Sequence, residues 1–86
     1  NPEFAIAHFN LGNSQFKLNR LEEAQKSYER SIEMGLNFLS MHWKLYEIHL
    51  KQKEYKKAEK ELKTILEMDP LNDDAKKKLF SLPSIH

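Results

Sequence analysis

The chain has 86 residues, a formal net charge of +1 and no cysteine. Its length is enough for one domain, and its charge gives no global electrostatic reason to expect a nucleic acid or a membrane as partner. Without cysteine, neither a disulfide framework nor a thiolate metal site can form. No apolar run reaches 18 residues, which excludes a membrane-spanning helix. These features fit a reducing compartment, and we expect a cytoplasmic protein.

Apolar side chains recur every three or four residues, which predicts five helices and no strands. In chain order the helices are expected near 4–17, 20–34, 38–51, 54–68 and 72–82, and Pro83 to His86 are expected to fray. The predicted buried stripes of the first two helices are Ala7, Leu11 and Phe16, then Leu21, Ala24, Tyr28, Ser31 and Ile32. Those of the next two are Met41, Leu45 and Leu50, then Tyr55, Ala58, Leu62, Ile65 and Leu66.

Residues that start and stop helices stand at the predicted junctions. Asn19, followed three residues later by Glu22, is predicted to cap the N-terminus of the second helix. Gly35 is predicted to take the left-handed conformation that commonly ends a helix. Pro2 and Pro70 are predicted to open new repeats, because their ring fixes one backbone angle.

A period of 34 residues organises the chain. Adding 34 to Leu11, Ala24, Ile32, Glu33 and Met34 gives Leu45, Ala58, Leu66, Glu67 and Met68. A second step carries Leu45 to Leu79, so about two and a quarter copies are present. We therefore predict a single domain over 1–86, with a first repeat at about 5–38, a second at about 39–72 and a capping helix at about 73–82.

The first copy opens with His8-Phe9-Asn10-Leu11-Gly12-Asn13, which resembles the W-Y-N-L-G-N opening of the tetratricopeptide repeat family. Further matches are Leu21, Ala24 and Tyr28, then Leu45, Tyr55, Ala58, Leu62 and Pro70. The resemblance spans Ala5 to Phe80. It implies an all-α fold, a right-handed superhelix (α-solenoid) of antiparallel helix pairs. The first helices of the pairs would line a concave groove that holds a peptide or a partner helix.

The sequence also departs from the family pattern. His8 and His42 stand where the family has Trp, and Leu36 stands where it closes the repeat with Pro. The small residue of the first helix is Gly12 in the first copy but Tyr46 in the second. A Tyr at this position should splay or re-pack the second helix pair.

The resemblance implies a scaffold or adaptor that binds a protein or peptide partner and catalyses nothing. Mapping the family's groove-facing positions gives the candidate partner-binding residues Phe9, Asn10, Asn13, Lys17, Trp43, Lys44, Glu47, Lys51 and Lys78. Phe9 and Trp43 lie off the buried stripes, and large aromatic residues often dominate binding energy, so these two are the expected anchors. The lysines suggest a partially acidic ligand, although Glu47 reduces that preference.

The sequence contains no motif that is typical of catalysis or metal binding. The chain has no Cys nucleophile, no Gly-rich phosphate loop and no nucleophile elbow, so we expect no enzyme activity and no cofactor. His42 and His49 are seven residues apart, or about 10 Å along a helix, which is too far for two ligands of one metal ion. A clamp for a C-terminal carboxylate is not expected either, because Phe9 and Asp74 stand where its lysines would be.

Two alternatives to peptide binding stay open. Helical repeats can read RNA, and a lysine-rich face is formed by Lys51, Lys53, Lys56, Lys57, Lys60 and Lys63. Glutamates at 54, 59 and 61 are interleaved with these lysines, which argues for an ordinary solvated face. Self-association is the second alternative, because two repeats and a cap are close to the minimum for a stable helical array.

Overall fold

The computed structural model describes residues 2–83, and these form five α-helices without any strand. The helices are α1 (Pro2–Lys17), α2 (Leu21–Glu33), α3 (Leu39–Lys51), α4 (Tyr55–Met68) and α5 (Asp73–Ser81). All ten helix ends lie within two residues of those predicted from the sequence. The expected fraying concerns mainly residues 84–86, which lie outside the described part of the chain. None of the five helices is long and apolar enough to cross a lipid bilayer.

The turn between α1 and α2 corrects one sequence prediction. Asn19 does not cap α2; it has a φ of 60° and ends α1, with the Arg20 N–H donating to the Gln15 carbonyl at 2.8 Å. Arg20 takes the N-cap position of α2, and its side chain makes no capping hydrogen bond. Asn tolerates the left-handed region better than most residues, which suits it to this position. Lys53, which is 34 residues further on, has a φ of 59°, so both helix pairs use the same turn.

The end of α2 agrees with the sequence prediction. Gly35 has a φ of 100°, and the N–H of Leu36 reaches back to the Ser31 carbonyl at 3.1 Å. This arrangement satisfies carbonyl groups that a helix end leaves open. The start of α5 is capped by Asn72, whose side-chain oxygen accepts from the Ala75 N–H at 3.0 Å.

The chain divides into two compact units between Met41 and His42. In the first unit α1 packs on α2 at close range, because Gly12 presents no side chain to the ring of Tyr28. A Cβ on Gly12 would lie only 2.8 Å from Cε1 of that ring. Nearby, the buried Ser31 hydroxyl donates to the Ala5 carbonyl at 2.7 Å.

The predicted stripe of α1 is partly wrong. Leu11 is 47% exposed and Ala7 is also exposed, whereas Ala5 and Gly12 are the buried residues of this helix. The reason is geometric: α2 covers the side of α1 that carries Ala5 and Gly12, and Leu11 lies about 100° around the helix from Gly12. Leu45, which is the same position in the second copy, is only 2% exposed.

The second unit has a continuous apolar core. Its buried apolar residues are Leu45, Tyr46, Ile48, Ala58, Leu62, Ile65 and Ala75. The helices α4 and α5 pack together, and Glu61 of α4 joins α3 through two buried histidines. Its Oε1 lies 2.7 Å from Nδ1 of His42, and its Oε2 lies 3.8 Å from Nε2 of His49.

Candidate protein-interaction surfaces

Phe9, one of the two expected anchors, makes aromatic contacts inside the first unit. Its ring is half-buried and lies edge-on to Phe38 at a centroid distance of 5.1 Å. The ring of Tyr28 lies 6.4 Å away in a tilted orientation. Phe9 therefore contributes to the packing of its own helix pair, and its role in binding a partner stays a prediction.

The two asparagines of the predicted site differ in their environment. The Oδ1 of Asn13 accepts a hydrogen bond from the hydroxyl of Tyr28 at 2.5 Å, and the side chain is half-buried. Asn10 and Lys17 are exposed on α1. A partner that approaches α1 can therefore reach Asn10 and Lys17 directly, whereas the side chain of Asn13 is engaged in the hydrogen bond with Tyr28.

In the second unit Trp43 is half-buried and packs edge-to-face on Tyr46, with ring centroids 5.8 Å apart. Tyr46 is only 6% exposed. Burial is the main cause that raises the pKa of Tyr46, and the negative charge of Glu47 adds to it. The Trp43–Tyr46 pair thus forms a packed aromatic contact on α3.

A cavity of about 450 Å³ lies between α3 and α5, and Tyr46 of this aromatic pair lines it. Its lining residues are Tyr46, Leu50, Asp74, Lys77, Lys78, Ser81, Leu82 and Pro83. Apolar surface comes from the aromatic and aliphatic side chains, and two lysines and one aspartate supply charge. A cavity of this size and composition suits one or two side chains of a bound peptide.

Among the predicted site residues, Lys78 lines the cavity. Lys44 is half-buried, while Glu47 and Lys51 are exposed on α3 outside the cavity lining. Sequence reasoning did not include Tyr46 and Leu50 in the site. The sequence did contain a signal for Tyr46, because a large residue stands there at the position that Gly12 has in the first copy.

The lysine-rich face of α4 contains local ion pairs. Nζ of Lys57 lies 2.7 Å from a carboxylate oxygen of Glu54, and that of Lys63 lies 3.9 Å from Glu59. The hydrogen bond from Lys57 is the main cause that lowers the pKa of Glu54. Positive charge is therefore balanced locally along part of this helix. Within residues 2–83 no group of three or more His, Asp or Glu side chains has the arrangement needed to hold a metal ion.

Five helices with a 34-residue repeat define an all-α helical-repeat protein. Residues 5–35 match the family model of the tetratricopeptide repeat. This segment is similar to a tetratricopeptide repeat, and the five helices of residues 2–83 are consistent with such repeats followed by a capping helix. The family consists of protein-interaction modules that are generally not enzymes. No curated protein matches the chain significantly.

Proposed function

We propose that this chain is a scaffold or adaptor module that holds a peptide or a partner helix on the first helices of its repeats. The cavity lined by Tyr46 and Leu50 carries the proposal, because it joins apolar surface to nearby charged groups. Peptide recognition commonly uses an apolar pocket for an anchor side chain and polar groups for orientation. Tyr46 and Leu50 supply the apolar wall for such an anchor.

The charges around the cavity indicate the chemistry of the ligand. Lys77 and Lys78 outnumber Asp74 among the lining residues, and Lys51 is exposed on α3. A peptide with an apolar anchor and one or two adjacent carboxylates fits these groups. Asp74 favours a ligand that also carries a hydrogen-bond donor, such as a backbone N–H or a lysine.

The first unit offers polar groups of its own on α1. Asn10 presents both a donor and an acceptor to a peptide backbone, and Lys17 adds a positive charge. Phe9 and Asn13 would support this surface from within the helix pair, through their contacts with Tyr28. Substituting Phe9 would therefore disturb folding together with binding, and it makes a poor first test.

A displayed library of random 12-residue peptides, selected on the immobilised chain, tests the proposal. The affinity of a selected peptide is then measured by fluorescence anisotropy for the wild type, Trp43→Ala and Lys78→Glu. We expect each substitution to raise Kd about tenfold or more, because anchor and charge contacts at a hot spot exceed about 1.4 kcal/mol. Lys63→Glu, on α4 outside the cavity, is the matched control and should change Kd less than twofold.

Circular dichroism must show that each variant keeps its helices. If Trp43→Ala and Lys78→Glu bind as tightly as the wild type, the cavity is not the site. A labelled single-stranded oligouridylate tests the RNA alternative in the same assay. Tight, salt-sensitive binding that Lys56→Glu and Lys60→Glu abolish would replace the peptide proposal by RNA binding through the lysine-rich face.

A further inference from the structure

Three large apolar residues are exposed along one side of α1. Phe4, Leu11 and Leu18 are spaced seven residues apart and are 59%, 47% and 66% exposed. Ala7 and Ser14 lie between them and are exposed as well. The helical hydrogen bonding reaches the end of this row, since the N–H of Leu18 donates to the Ser14 carbonyl at 3.1 Å. We call these five residues the α1 seam.

The α1 seam is not needed to hold α1 on α2. The first helix pair closes through Ala5 and Gly12, which are buried on a different side of α1. Adding 34 to Ala7, Leu11 and Ser14 gives Met41, Leu45 and Ile48. These three are 0%, 2% and 0% exposed. The repeat therefore uses these positions as core, and in the first copy they lie open.

The spacing of the α1 seam is that of a coiled-coil stripe, with apolar or small residues alternately three and four apart. Phe4 and Leu18 lie seven residues to either side of Leu11, with Ala7 four residues before it and Ser14 three residues after it. If a second α1 lay antiparallel with Leu11 on the two-fold axis, Phe4 would meet Leu18 of the second copy. Ala7 would lie within about one residue of the level of Ser14 of the second copy in the layers between, where two small residues let the helices approach closely.

The charges beside the α1 seam fit the same arrangement. Glu3 and Lys17 are both exposed, and both lie on the same flank of the seam, at its opposite ends. In an antiparallel pair the corresponding flanking positions face each other. Glu3 of each copy would therefore face Lys17 of the other copy. The two-fold symmetry gives two such ion pairs.

We propose that the α1 seam is the docking site of a second copy of this chain, with the two α1 helices antiparallel and Leu11 at the axis. The contact is one helix long on each side, about 24 Å at 1.5 Å per residue. Interfaces of that extent lie at the small end of specific contacts, so the dimer is weak and depends on concentration. The α1 seam shares no residue with the cavity lining between α3 and α5, although Lys17 beside the seam has a part in both proposals. Leu11→Glu tests the dimer and Lys78→Glu tests the peptide site, so the two proposals can fail independently.

Sedimentation equilibrium over a range of protein concentrations gives the dimer dissociation constant. We expect the wild type to show a monomer–dimer equilibrium and Leu11→Glu to raise the dissociation constant at least tenfold, because two carboxylates would meet at the axis. Ile6→Glu is the matched control: Ile6 is on the same helix and 45% exposed, but lies outside the α1 seam. Its dissociation constant should stay within threefold of the wild type.

Charge reversal tests the antiparallel arrangement. Glu3→Lys and Lys17→Glu should each weaken the dimer, and the two substitutions together should restore it. An equimolar mixture of the two single variants should associate more tightly than either alone, since every flanking pair then has opposite charges.

Because the chain has no cysteine, introduced thiols report the geometry directly. On mild oxidation Leu11→Cys should form a disulfide-linked dimer, whereas Leu18→Cys alone should not. A chain that stays monomeric at every concentration would overturn the proposal. Association that Leu11→Glu leaves unchanged, or efficient cross-linking of Leu18→Cys with itself, would overturn it equally.

Discussion

One carboxylate oxygen of Glu61 lies 2.7 Å from Nδ1 of His42, and the other lies 3.8 Å from Nε2 of His49. The histidines are two helical turns apart on α3, and they are 7% and 3% exposed. A single carboxylate on α4 therefore contacts two buried histidine rings of α3. This contact links the helices of the second pair by polar groups as well as by apolar packing.

Replacing Glu61 by Gln should lower the free energy of unfolding by about 1–3 kcal/mol, because a charged hydrogen-bonding group at a part-buried site is lost. Urea denaturation of both proteins measures the difference. Glu59→Gln is the control, since Glu59 pairs with an exposed Lys63 at 3.9 Å and should contribute less than about 1 kcal/mol. Equal small effects for both substitutions would show that Glu61 does not stabilise the helix pair.

Gly12→Ala should destabilise the first helix pair. The added Cβ would lie 2.8 and 2.9 Å from two carbons of the Tyr28 ring. Overpacking costs about 1–3 kcal/mol, whereas Ala gains at most about 1 kcal/mol in helix propensity, so we expect a net loss. The substitution should cost less in a Tyr28→Leu background, where the smaller side chain leaves room for the Cβ. Thermal denaturation of the four proteins of this cycle tests the coupling, and additive effects would contradict it.

The sequence predicted the positions of the helices better than the burial of the side chains on them. A 34-residue period and stripes of apolar residues are local signals, and they placed all five helices. Whether a stripe is buried depends on what covers it, which is why Leu45 is buried and the equivalent Leu11 is exposed. Asn19 fits two local roles, as a helix start or as a left-handed helix end. Only the backbone of the folded turn decides between them.

The candidate site was only partly predictable for a related reason. The repeat register marked Trp43 and Lys78 as groove positions, and Lys78 does line the cavity. The register alone did not predict that Tyr46 would form part of the cavity wall. Gly12 and Tyr28 become Tyr46 and Leu62 when 34 is added, so the large and the smaller residue exchange positions between the copies. Such an exchange alters the space near α3 without changing the pattern of helices.

Asn13→Ala and Asn10→Ala should separate a structural role from a binding role. Asn13 accepts a hydrogen bond from the part-buried hydroxyl of Tyr28, so its loss should lower the free energy of unfolding by about 1–2 kcal/mol. Asn10 is exposed, and its substitution should change stability by less than about 0.5 kcal/mol. Chemical denaturation measures both. If the two variants were equally stable, the Tyr28–Asn13 hydrogen bond would contribute nothing to folding.

Tyr46→Phe should change how stability depends on pH in the alkaline range. Burial raises the pKa of Tyr46 above its ordinary value of 10.0, with Glu47 as the second cause. Above about pH 10 the unfolded chain releases this proton while the folded chain retains it, so stability falls as pH rises. Below that value the effect is absent.

Phe cannot ionise, and the variant should therefore lose less stability than the wild type between about pH 10 and 11. Urea denaturation at several pH values from 8 to 11 measures the difference, in which contributions from the other tyrosines and the lysines cancel. Glu47→Gln should give an intermediate slope, because it removes the second cause of the shift and leaves burial in place. Parallel stability curves for the wild type and Tyr46→Phe would show that Tyr46 ionises equally in the folded and unfolded chain.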